Sequence, residues 1–223
     1  MPVASPVATQ LLQLLGFFLL LTAFAMIASR HLDQYIRAYA VQSIALAFIA
    51  MVIGYFTGRV ELYAVAFFTI LFKAVMIPSI LLGLTRQLRV HLRREERPYV
   101  NLPTALLIGV VLVFVAFFTS PSVVAPGTFL DEPPIAVSVA LVLIGLFLLS
   151  ARRRAVAQVV GLLTIENGLF SGAIAIAYGM PLIVEFGILF DILVAVLVMS
   201  VLVTLIQQEG LTVDTADLRE LRG

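Results

Sequence analysis

Long apolar runs, rather than alternating polar and apolar positions, dominate this chain. Seven of them, bounded by charge or by Pro and Gly, cover 8–29, 37–57, 60–85, 103–120, 135–151, 155–179 and 181–207. Each matches the ~20 mostly apolar residues, range roughly 17–25, that a helix needs to cross a bilayer. The pattern therefore predicts an all-α integral membrane protein with seven transmembrane helices. The first run is too long, and too poorly preceded by positive charge, to be a cleaved signal peptide. Runs five and six touch at Arg152-Arg153-Arg154, which cannot lie mid-bilayer and so marks an interfacial turn. Runs six and seven meet at Gly179-Met180-Pro181, a tight turn with Pro near the start of the next helix.

The polar remainder orients these helices. With the N-terminus outside, twelve of the fourteen basic residues fall in cytoplasmic segments: Arg30, Arg37, Arg86, Arg89, Arg93, Arg94, Arg97, Arg152, Arg153, Arg154, Arg219 and Arg222. Outside there is Arg59, and Lys73 lies within a span. The external loop 121–134 has no basic residue and contains Asp131 and Glu132. Positive charge accumulates on the cytoplasmic side, so the N-terminus is expected outside and the C-terminus inside.

Composition narrows the functional classes. The chain is 62% hydrophobic and 12% charged, against roughly 45–50% and ~25% in soluble domains. That excludes a soluble enzyme and a disordered chain. A net charge of +1 removes bulk basicity as an argument for nucleic-acid binding. Without cysteine there are no disulfides, thiolate metal sites or iron–sulfur ligands in this chain, and two histidines are too few for a His-rich metal or haem site. No Ser-His-Asp set, phosphate loop or metal-ligand cluster is visible. Any redox cofactor belongs in other subunits.

Four acidic or basic residues remain inside the runs. At ~1.5 Å per residue, Lys73, Glu166 and Asp191 fall near the midplane, whereas Glu185 is four residues into the seventh run and can reach the outer interface. A charge at the bilayer centre costs at least ~2.5–3.5 kcal/mol. Interhelical hydrogen bonds contribute only ~0.6 kcal/mol on average, so structural contacts alone do not offset it. The alternatives are therefore a set of interhelical polar contacts or a proton relay, with the relay the better match to that cost. Gly161, Gly168, Gly172 and Gly179, with Ala175, form a small-residue stripe that predicts close helix packing, with Glu166 pointing away from it. Pro78 predicts a kink in the third span. Arg86, Arg89, Arg93, Arg94 and Arg97 serve either as a positive-inside anchor or as a dock for a cytoplasmic partner.

Spans one to three and five to seven share an outline. Arg37-Ala38-Tyr39-Ala40-Val41-Gln42 answers to Arg154-Ala155-Val156-Ala157-Gln158, and Ile70-Leu71-Phe72-Lys73 to Ile188-Leu189-Phe190-Asp191. Chance matches of short apolar words explain this equally well. If the repeat is real, the chain holds two parallel three-helix units joined by one helix. The expected division is a first unit with its basic loop (1–101), a linking helix and external loop (102–134), a second unit (135–208) and a cytoplasmic tail (209–223).

Taken together, several words in this order resemble component E of hydrogenase 4, a membrane subunit of group 4 [NiFe] hydrogenases and formate hydrogenlyase complexes. They are Tyr39-Ala40-Val41-Gln42-Ser43, Lys73 followed by Pro78, Glu166-Asn167-Gly168, Val184-Glu185-Phe186-Gly187, Asp191, and the tail from Leu211-Thr212-Val213-Asp214 to Leu221-Arg222-Gly223. The last three spans are also similar to the K subunit of complex I. There Asp191 falls about two residues from a buried glutamate position, and Glu166 about one turn beyond another. The resemblance implies a non-catalytic, multi-pass subunit of the inner (plasma) membrane. It implies antiporter-like and other membrane subunits as partners, with a cytoplasmic arm carrying the NiFe and iron–sulfur centres. Lys73, Glu166, Glu185 and Asp191 would then line a proton path. The alternatives are a purely structural anchor or a subunit of a related cation/proton antiporter complex.

Overall fold

The computed structural model describes residues 6–29, 31–88, 100–120, 132–152 and 155–176. All of them belong to the first of two units, residues 1–187 and 188–223. The regular elements are α1 (Pro6–Ala28), α2 (Leu32–Thr57), α3 (Glu61–Phe68), a π-helical segment (Thr69–Met76), α4 (Ile77–Leu88), α5 (Leu102–Thr119), α6 (Glu132–Ala151) and α7 (Ala155–Ile176). The segments α3, π and α4 follow one another without a break and form one span. Among the described residues six helices are long and apolar enough to cross a membrane. They coincide with the first six apolar runs. The seventh run, Glu185, Asp191 and the tail lie outside the described residues, as do Arg89, Arg93, Arg94 and Arg97. Arg86 falls in the last turns of α4.

Two boundaries differ from the hydropathy reading, for physical reasons. The α2 helix begins at Leu32 rather than at 37, because Tyr35, Ile36 and Tyr39 are buried and hold its first turns. Asp33 in the first turn also complements the helix dipole. The α6 helix starts at Glu132, three residues early, because Pro133 and Pro134 occupy a first turn that needs no backbone donor. Between α2 and α3, Gly58 takes the left-handed conformation (φ 68°) and its N–H closes on the Gly54 carbonyl. That geometry suits glycine.

The centre of the bundle is α2, which packs against α1, the third span and α7, while α6 packs against α7, α5 and α1. The α6–α7 contact is made through glycine. A Cβ on Gly161 would stand 2.7 Å from the Leu149 backbone nitrogen, one on Gly145 2.7 Å from that of Ile165, and one on Gly168 2.9 Å from that of Val142. Ser138 donates across the same seam to the Gly168 carbonyl at 2.8 Å. Lipid is as apolar as leucine, so helices associate by close fit and polar contacts rather than by apolar burial. The described part of the predicted small-residue stripe, Gly161, Gly168 and Gly172, therefore has α6 as its partner. By contrast Leu107, Val110, Val111, Phe114 and Phe118 of α5 are exposed.

One arginine ties the bundle together at its end. Arg152, between α6 and α7, donates from Nη2 to the Ile27 carbonyl in the last turn of α1 at 2.8 Å. Its guanidinium lies 4.9 Å from the centre of the Tyr35 ring on α2, and Gln158 Nε2 donates to its carbonyl at 2.9 Å. This brings the α1–α2 and α6–α7 turns to one face. R152M is expected to lower stability by about 1.5–3 kcal/mol, the range for a charge-assisted hydrogen bond, read as a lower melting temperature in detergent. R152K should recover only part of it, because an ammonium lacks the planar fork.

Candidate functional site

The third span buries a stripe through Val65, Thr69, Lys73, Ile77 and Leu81, in steps of four residues, with Ala66 and Pro78 beside it. Lys73 thus belongs to the face that meets the bundle, near the middle of the span: it is 12 residues beyond Glu61 and 15 before Leu88. The turn that carries it is π-helical, with the Ile77 N–H reaching back five residues to the Phe72 carbonyl. Pro78 has no N–H to give, and the Ser79 hydroxyl donates to the Val75 carbonyl at 2.6 Å. The disturbance expected from Pro78 takes the form of this widened turn.

Across the bundle, α7 presents three groups to the lysine. Lys73 Nζ stands 2.5 Å from Glu166 Oε1, with side chains 1% and 2% exposed. It donates to Asn167 Oδ1 at 3.4 Å and lies 4.8 Å from the centre of the Phe170 ring. A carboxylate, an amide oxygen and an aromatic face together surround an ammonium, which has three donors and no acceptor. Asn167 Nδ2 in turn donates to Gln42 Oε1 at 3.1 Å and to Ser43 Oγ at 3.4 Å, both on α2. Gln42 Nε2 continues to the Leu19 carbonyl of α1 at 3.4 Å, which also accepts from Thr22 Oγ1 at 2.7 Å. Gln42, Ser43 and Asn167 are fully buried.

The placement along each helix is consistent with mid-membrane depth. Gln42 is ten residues into α2 and Asn167 twelve into α7, or about 15 and 18 Å at 1.5 Å per residue. The charges face each other rather than lipid, as intramembrane ionisable groups do.

Of the residues singled out from sequence, Lys73 and Glu166 meet directly, and Glu166 does point away from the glycine seam. The amides of Gln42 and Asn167, the Ser43 hydroxyl and the Phe170 ring were not singled out as a site. A glutamine and an asparagine within apolar runs are the signal that could have found them, since an amide in hydrocarbon also demands partners. Among the described residues no three His, Asp or Glu side chains converge as metal ligands would.

Among the described residues, six membrane-length helices with a buried ion pair and its amide network define a polytopic helical membrane protein with a polar, charge-bearing centre. The comparisons with known proteins find relatives over nearly the whole chain. The chain is 34% identical over 206 residues to the uncharacterized protein Rv0085 of Mycobacterium tuberculosis (strain ATCC 25618 / H37Rv), covering 92% of each, and it belongs to that protein's family. It is also 26% identical over 209 residues to hydrogenase-4 component E of Escherichia coli (strain K12) and of Shigella flexneri, covering 94% of this chain and 96% of theirs. No family model and no solved structure matches it.

Proposed function

We propose that the chain is a non-catalytic membrane subunit of a hydrogenase-like complex, and that its Lys73–Glu166 pair takes part in moving protons through that complex. The observation that carries this reading is the ion pair itself, buried between the third span and α7. Full-length similarity to hydrogenase-4 component E supports the kind of complex. The chemistry needs one proton and conserves charge. The Lys73 ammonium passes a proton to the Glu166 carboxylate, leaving a neutral amine and a neutral acid. The acid then releases the proton to the next acceptor, and the amine takes another. Glu185 and Asp191 extend the path on the seventh span. The NiFe and iron–sulfur centres belong to a cytoplasmic arm, which docks on Arg86, Arg89, Arg93, Arg94 and Arg97. Antiporter-like subunits flank the chain in the inner membrane, with its N-terminus outside.

The test is E166Q in the complete complex, in sealed vesicles, with hydrogen turnover and proton movement measured together. A positioned proton-transfer group contributes roughly 10²-fold or more to its step. Proton movement is therefore expected to fall by about tenfold or more while hydrogen turnover continues, with E166D retaining part of it. Proton movement at the wild-type ratio in E166Q would leave the pair an assembly role and favour the structural-anchor reading.

A further inference from the structure

The geometry points to Gln42 as a positioning residue for the Lys73–Glu166 pair: it holds the Asn167 amide with its oxygen toward the lysine. Gln42 and Asn167 are fully buried, and the hydrogen bonds that join them run in one direction. Lys73 Nζ donates to Asn167 Oδ1, Asn167 Nδ2 donates to Gln42 Oε1, and Gln42 Nε2 donates to the Leu19 carbonyl. Both ends of this run are fixed by chemistry. An ammonium only donates and a main-chain carbonyl only accepts, so the two amides between them have one arrangement that satisfies every contact.

Turning Asn167 over would set its amide N–H groups against the ammonium and its oxygen against Gln42 Oε1. Turning both amides would relieve the middle contact, but Gln42 Oε1 would then face the Leu19 carbonyl oxygen. The two amides are therefore oriented together. Ser43 Oγ also accepts from Asn167 Nδ2, at 3.4 Å, but a hydroxyl donates as readily as it accepts. It does not choose between the orientations of Asn167; Gln42 does, and the α1 main chain holds Gln42 in turn. Asn167 Oδ1 takes one of the three N–H groups of the lysine, and the Phe170 ring lies 4.8 Å away on the same helix. These two contacts leave another N–H to face Glu166 Oε1. Gln42 thus touches neither member of the pair, yet through Asn167 it governs how the lysine presents its proton.

This role rests on the proposed function, because it matters to coupling only if the pair moves protons. It is tested in the complete complex, in sealed vesicles, as proton movement per hydrogen turned over. Q42L is expected to lower that ratio by about tenfold, since misplacing a reacting group by a small distance costs up to ~10²-fold. Q42E should recover most of it: its neutral acid form has an O–H for the Leu19 carbonyl and a C=O for Asn167 Nδ2. Because Gln42 acts through Asn167, N167L should match Q42L, and N167L/Q42L should be no worse than N167L. A wild-type ratio in Q42L would overturn the role. So would a Q42E no better than Q42L, or a further fall from N167L to N167L/Q42L. Should Q42L fail to assemble, Q42M, which keeps the length of the side chain without its amide, takes its place. Lys73 is the one lysine of the chain, so its position can also be read without turnover. The full chain, isotope-labelled at lysine Nζ and glutamate Cδ in phosphatidylethanolamine/phosphatidylglycerol liposomes, gives a single lysine side-chain signal by solid-state NMR. The Glu166 carboxyl carbon should dephase that signal as fast in Q42E as in wild type, and more slowly in Q42L and N167L. Equal dephasing in all four overturns the role even where E166Q loses coupling. Unchanged coupling in E166Q overturns the proposed function instead, and the dephasing rates alone then decide whether Gln42 positions the lysine.

Discussion

K73M alone is expected to reduce the stability of this protein more than K73M/E166Q does. Removing the lysine leaves the Glu166 carboxylate buried and takes from Asn167 Oδ1 the donor it faces. Breaking a buried pair by deleting one partner costs roughly 3–5 kcal/mol, most of it the unpaired charge, whereas replacing both partners with neutral groups is often close to neutral. Methionine keeps the length of the lysine stem and glutamine keeps the shape of the glutamate. The steady-state amount of chain in the membrane and its melting temperature in detergent read the difference. The double variant should recover most of what K73M loses. Equal losses in the single and double variants would mean that the two side chains are not energetically coupled, whatever their distance.

The second large effect lies in the α6–α7 seam. G161V is expected to prevent native packing of α7, because its Cβ would stand 2.7 Å from the Leu149 backbone nitrogen and 3.1 Å from the Gly145 carbonyl oxygen. Backbone cannot rotate aside as a side chain can, so the helices must separate along their length. Overpacking a well-fitted interior typically costs ~1–3 kcal/mol. Here the upper end or more is expected, since separating the seam also breaks the Ser138–Gly168 hydrogen bond. The control is G83A on α4, where a Cβ meets nothing within 4 Å. It should be neutral or stabilising by up to ~1 kcal/mol through helix propensity. Thermal melting of both variants in the same detergent checks the contrast, and a G161V as stable as G83A would contradict the seam. Displacing α7 would also withdraw Glu166, Asn167 and Phe170 from the lysine, so this packing defect should damage the site as well.

How much of this was legible beforehand can be judged from particular residues. Lys73 and Glu166 stood out because a charge in a long apolar run is costly wherever it lands, and that cost is visible without knowing the neighbours. Their partnership was not legible, since 94 positions separate Lys73 from Asn167, the residue next to Glu166. The glycine stripe was visible, and its partner helix was not, because a small face fits any helix that can come close. Arg152 illustrates a different gap. As a charge in a turn it marked an interface, but its bond to the Ile27 carbonyl depends on α1 ending beside it. Gln42 and Asn167 went unread as a site because neutral amides leave no trace in a charge count. The π-helical turn at Thr69–Met76 was read only as a kink, since Pro78 announces a missing donor without saying how the helix will rearrange.

The number of described spans and their approximate limits were already written in the one-dimensional pattern. Hydrocarbon offers backbone groups no partners, so each apolar run must satisfy its own N–H and C=O groups as a helix. That rule is local and needs no knowledge of tertiary contacts. The rotation of each helix, and hence which buried polar groups meet, was decided only in the bundle. The glycine seam sets how closely α7 approaches α6 and which way its other face turns, and the stripe through Lys73 sets the corresponding face of the third span. Pairing depends on those two rotations agreeing in three dimensions, and that agreement makes an ion pair and an amide network from residues that hydropathy could register only as isolated costs.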